Sequence, residues 1–181
     1  MKKGLRIDKK IATELTGELS ALRDFFACNT FVRKKYLSLI SELPKKSLIK
    51  DRGASYPSIL DIQTHIVDVC RSWLHVYETG EDLPDLKGLS IIQLKKLQKE
   101  VDNYMSDFMQ KLRAEDLNKS FHNTLGTGRS KRVITRNVGA MLWHMIEEEL
   151  QHRGELNALL WQDDIEPPVT SWFEWRKVLE K

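Results

Sequence analysis

The stretch TRNVGAMLWHMIEEELQHRGELNALLW, residues 135 to 161, decides the fold. Val138, Met141, Leu142, Met145, Leu156, Leu159 and Leu160 recur at three- and four-residue steps, the signature of an amphipathic helix. Thr135 is placed to cap it. Glu148, Glu149 and His152 interrupt the apolar stripe. At about 100° per residue, Glu149 falls near the centre of the buried face, Glu148 at its edge and His152 beside it. A carboxylate buried without a partner costs several kcal/mol. A divalent cation would satisfy it. Glu148 and His152 are four residues apart, so one ion can meet both. A usual transition-metal site needs a third protein ligand. The bland alternative is a helix pair worth a few tenths of a kcal/mol.

Three more helical patterns precede this one. The first runs from about Thr16 to Leu43 through Leu22, Phe25, Phe26, Val32, Tyr36, Leu39 and Ile40, and Pro44 marks its end. The second opens at Ser55 or Pro57 and carries Ile59, Ile62, Ile66, Val69, Trp73 and Val76, with Gly80 and Pro84 closing it. His65 lies at the edge of that stripe, so helices packed about 8 to 10 Å apart could bring it to the same ion as His152. The third runs from about Ser90 to Leu112 through Leu94, Leu97, Val101, Tyr104 and Phe108. Two imidazoles and one carboxylate suit zinc, iron, nickel or manganese.

Four long helices pack most economically as an all-α four-helix bundle around one core. The links between the first and second and between the third and fourth are longer than minimal, which allows a crossover. The segment SFHNTLGTGRSKRVIT, 120 to 135, places two glycines between β-branched runs and predicts a short hairpin, with any strand confined to about Ser120 to Ile134. Pro167 and Pro168 precede a short C-terminal helix in SWFEWRKVL. At 181 residues the chain fits a single domain, 1–181.

Composition narrows the function. The chain is 41% hydrophobic and 30% charged, with a net charge of +3, too small to imply nucleic acid. No apolar run approaches the roughly 18 residues of a membrane span. The basic MKKGLRIDKK is followed by the polar IATELTGELS, where a signal peptide needs an apolar stretch, so a cytoplasmic location is expected. Cys28 and Cys70 form no CxxC pair and are expected to be buried core residues.

Three segments carry a resemblance to a known family. WHMIEEELQHRGELNALLWQ, above all its HRGEL core, resembles the last bundle helix of the DinB/YfiT-like superfamily of metalloenzymes. CNTFVRKKYLSLISELP resembles its opening helix, with Asn29 where an asparagine is common. SYPSILDIQTHIVDVCRSWL resembles its second helix. The resemblance runs from about Glu18 to Pro168. It implies a four-helix bundle, often dimeric, with a metal held by three histidines. The first maps to His65 and the last to His152, but the middle position is Glu148. A carboxylate can replace an imidazole as a ligand, makes the site more anionic and lowers the Lewis acidity of the ion. Thiol-dependent transferases and isomerases of the superfamily imply activation of a small thiol or water nucleophile for transfer or hydrolysis.

Further expectations attach to single residues. Glu149 is a candidate base or ligand-orienting group, and Asn29 a candidate pocket-lining residue or a hydrogen-bonding core group. Arg153 is expected to pair with Glu149 or Glu155. Gly154 costs helix propensity, which close helix packing would justify. A homodimer and a small-molecule substrate are expected. The rival reading is a non-catalytic binding or scaffold protein that meets phosphates through Arg129, Lys131, Arg132 and Arg136 on a basic loop.

Overall fold

The computed structural model describes residues 9–126 and 130–180. Four long helices form the body: α1 Lys9–Ser41, α3 Ile59–Thr79, α4 Ile91–Lys111 and α5 Val138–Trp161. A single turn, α2 Lys45–Leu48, lies in the link after α1, and α6 Trp172–Leu179 ends the described chain. A 3-10 turn, Ala114–Asn118, leads into β1 Ser120–Leu125 and β2 Arg132–Asn137. These strands pair antiparallel, with Ser120 opposite Asn137 and Leu125 opposite Arg132. The hairpin therefore extends past the predicted limit at Ile134. Its tip at 127–129, including Arg129, lies outside the described residues.

Local signals explain the helix ends. Ser58 accepts from Asp61 N at 3.1 Å and starts α3 slightly later than Ser55 or Pro57. Gly80 ends α3 at φ 76°, and a Cβ there would come within 3.1 Å of His122 O. Ser90 and Gln93 form a capping box at α4. Asn137, not Thr135, caps α5, its side chain accepting from Ala140 N at 3.0 Å. Thr135 is held two residues upstream in the β ladder, opposite His122.

In the bundle, α1 and α3 each pack against both α4 and α5, with α3 on α5 the most extensive contact. The contact between α1 and α3 is slight. These two helices occupy one diagonal of the bundle, and α4 and α5 the other. Residues 42–58 and 112–137 each cross a diagonal, the crossover that their length allows. Leu22, Val32, Ile62, Leu94, Leu142 and Leu156 are completely buried at the centre. On α4 the seam runs through Leu94, Gln98, Val101, Met105 and Met109, and the expected Tyr104 is instead 41% exposed, with its hydroxyl on Glu78. Cys28 and Cys70 are both buried free thiols. Burial pushes the Cys70 thiol up to about 12, against the opposing effect of Arg33.

One polar cluster crosses the core. Arg33 of α1 is 2% exposed and donates to Asp102 of α4 through Nε at 3.1 Å and Nη2 at 2.7 Å. Its Nη1 donates to Glu149 of α5. Burial alone would lower the Arg33 pKa, but the carboxylates around it, Glu149 foremost, raise it overall. No helix among the described residues is long and apolar enough to cross a membrane.

Candidate metal centre

The packing of α3 on α5 builds the site. Glu148 and His152 stand one turn apart on α5, and His65 faces them from α3. Glu148 Oε2 lies 3.3 Å from His152 Nε2 and 3.6 Å from His65 Nε2. The three potential ligand atoms all lie within 4.8 Å of one another. Ligands about 2.1 Å from a tetrahedral ion stand about 3.4 Å apart, so the carboxylate already has ligand-like spacing to each imidazole. The two rings meet edge to face, with centroids 4.5 Å apart.

Neighbouring groups orient these rings. Glu155 Oε2 lies 3.3 Å from His152 Nδ1. With the proton on Nδ1 toward Glu155, the Nε2 lone pair faces Glu148. Ser55 Oγ donates to the same Glu155 oxygen at 2.5 Å. That bond, followed by the His152 interaction, holds the Glu155 carboxyl below its ordinary range against the opposing effect of burial. Tyr56 stacks on His65 with centroids 4.0 Å apart and meets His152 edge-on at 5.2 Å. Ser55 and Tyr56 come from the link before α3, and that link is tied to the end of α5. Ser47 Oγ donates to Asp163 at 2.6 Å, Lys50 Nζ reaches it at 2.9 Å, and Arg52 also pairs with it.

The donor set fits a cation. His65 Nε2 is buried and has no hydrogen-bond partner. Burial, then the neighbouring His152, lowers the His65 pKa, so its ring favours the neutral form. In the tautomers that turn both Nε2 lone pairs toward Glu148, nitrogen and carboxylate repel one another. A divalent ion between them removes that repulsion and gives the buried Nε2 a partner.

Glu149 turns away from the histidines to Arg33, and its Oε1 is buried without a partner. Burial raises its carboxyl above the ordinary range, and Arg33 offsets this only in part. Asn29 is 2% exposed on α1, with its Nδ2 unpartnered. Among the described residues Arg153 forms no ion pair with Glu149 or Glu155, and its Nη1 is buried without a partner. Arg33 reaches Glu149 from across the bundle, while Ser55 and His152 engage Glu155. A Cβ on Gly154 would meet nothing within 4 Å, so close packing does not explain that glycine. The basic segment is divided: Lys131 and Arg132 are exposed, whereas Arg136 turns over the Trp73 ring at 5.7 Å.

Sequence reasoning missed Ser55, Tyr56 and the role of Glu155. The spacing of His152 and Glu155 held a signal, since residues three apart on a helix are neighbours. Ser55 and Tyr56 lie on a link whose path no periodicity predicts. No curated protein matches the chain. The model of the DinB family matches residues 15–177, nearly the whole sequence. With an all-α bundle and a two-histidine, one-carboxylate cluster between its helices, the chain belongs to the DinB family.

Proposed function

We propose that the protein is a metal-dependent enzyme in which His65, Glu148 and His152 hold one divalent transition-metal ion, zinc, nickel, iron or manganese. The reaction is activation of a small thiol or water nucleophile for transfer or hydrolysis. The observation that supports this reading is the convergence of three ligand atoms from two helices around a buried, unpartnered imidazole nitrogen. A bound ion supplies Lewis acidity, which lowers the pKa of a water or thiol at its open positions.

The protein's own residues supply the rest. Glu155 keeps the His152 proton on Nδ1 and Nε2 free to ligate, and Ser55 keeps Glu155 in place. Tyr56 covers one face of His65, limiting water on that side and fixing the ring plane. Glu148 brings negative charge, so the site is less electrophilic than three neutral imidazoles would make it. This favours binding and ionising a nucleophile over strong polarisation of an acceptor.

The test is elemental analysis of tag-free protein after incubation with each metal and removal of the excess. About one ion per chain is expected in the unaltered protein, and none in His65→Ala or His152→Ala, both with unchanged helical circular dichroism. Equal metal content in the unaltered and substituted proteins would refute the ligand assignment.

A further inference from the structure

A cavity of about 320 Å³ lies between α3, the 81–85 segment and the hairpin. Trp73, Asp82, Asp85, Asn123 and Arg136 are among its lining residues. The strand register explains how the hairpin contributes. Asn123 lies opposite Ile134 and Arg136 opposite Phe121, so all four side chains share the inward face. Two polar residues thus occupy positions where a hairpin packed on a bundle ordinarily carries apolar ones.

Each carries one buried polar atom without a partner. Asn123 is 2% exposed, and its Oδ1 has no hydrogen-bond partner. Arg136 Nε is also buried and unpartnered, while its guanidinium lies 5.7 Å from the Trp73 ring centroid. One orphan is an acceptor and the other a cationic donor. Asp82 and Asp85 stand in the same cavity, and neither forms an ion pair among the described residues. A ligand complementary to this wall carries an anionic acceptor for Arg136 and a cationic donor for Asn123 Oδ1 and the aspartates.

The wall is rigid. Thr124 N donates to Gly80 O at 2.8 Å, joining the hairpin to the start of the 81–85 segment. Asp68 accepts from Leu86 N at 2.9 Å and fixes the end of that segment. Two successive side-chain contacts link the cavity wall to the metal centre. Trp73 meets His144 edge-on at 5.4 Å, and His144 Nε2 lies 3.9 Å from Glu148 Oε1.

We infer that this cavity binds a small amino-acid-like zwitterion, its carboxylate on Arg136 and its ammonium on Asp82, Asp85 and Asn123 Oδ1. Its role as the anchor of the substrate rests on the proposed metal-centre reading; binding itself does not.

The probe is L-2-aminobutyrate, titrated into the full chain by NMR with readout at the Asn123 side-chain amide and the Trp73 indole. Saturable shifts are expected. Butyrate and propylamine, which each lack one charge, should bind at least about tenfold more weakly. Arg136→Gln should weaken aminobutyrate binding by about tenfold or more, and Asp85→Asn by several-fold, with amide shifts elsewhere unchanged. Absence of saturable shifts, equal binding of butyrate, or unaltered binding by both variants would overturn the inference. His152→Ala separates the two readings, because it should abolish metal binding and leave the aminobutyrate shifts intact. In the unaltered protein, a zwitterion bound without metal defeats only the metalloenzyme reading, and metal bound without a zwitterion defeats only this one.

Discussion

Arg33 shows most clearly how single residues constrain this protein. It is buried between Asp102 and Glu149, carboxylates from two other helices. A pair of charges in a core is weak evidence of net stabilisation, because desolvation offsets much of the attraction. Removing one partner is different, since the charge left behind stays buried. Arg33→Met should therefore destabilise the bundle by about 3 to 5 kcal/mol, read from urea unfolding. Arg33→Met together with Asp102→Leu and Glu149→Leu should recover much of that loss, because the stranded carboxylates are gone. A single variant as stable as the unaltered protein would show that the cluster carries no such constraint. The same cluster explains why Glu149, although next to Glu148, is not among the residues facing His65.

At the scale of elements, the link between α1 and α3 positions the site. It crosses a bundle diagonal and is pinned to the end of α5 by Asp163. The Ser47 hydroxyl, then Lys50, and Arg52 against an opposing burial effect, hold the Asp163 carboxyl well below the usual carboxylate range. The sign follows from that depression. The unfolded chain takes up the proton first, near its ordinary pKa of about 3.9, so the contribution is complete above that value. It is lost as pH falls through the lower folded value. Amide exchange in 47–56 should therefore stay slow from neutral pH to about pH 4 and accelerate relative to α3 only below it. Asp163→Asn should give fast exchange there already at neutral pH. Protection unaffected by the substitution would show that the link is held by something else.

For the whole molecule, the covering of the bundle leaves aromatic side chains exposed. α6 packs on α1, with Trp175 4% exposed and Trp172 against Phe25 at 5.2 Å. Yet Phe173 is 77% exposed and Trp161 57%. We propose that the chain forms a homodimer through helical faces that include these residues. Light scattering in the micromolar range should give twice the chain mass, and Phe173→Asp should shift the equilibrium toward monomer. A monomer mass for the unaltered protein across that range would reject the dimer.

By itself, the sequence determined the four long helices, the hairpin and the place of His65, Glu148 and His152 on two of those helices. Those signals are local: apolar residues at three- and four-residue steps, Pro44 after the first helix, and a carboxylate one turn before a histidine. The cap of α5 was misplaced because Asn137 and Thr135 are both competent, and only strand pairing with β1 decides between them. The expected Arg153 pairing with Glu149 or Glu155 failed for a similar reason. Arg33 and Ser55 lie far away in the chain, so only the assembled bundle brings them to those carboxylates. Tertiary structure alone decided that Glu148 faces His65 while Glu149 faces Arg33. The two glutamates are adjacent and about 100° apart on α5, and which of them meets which partner depends on where α1 and α3 pack around that helix.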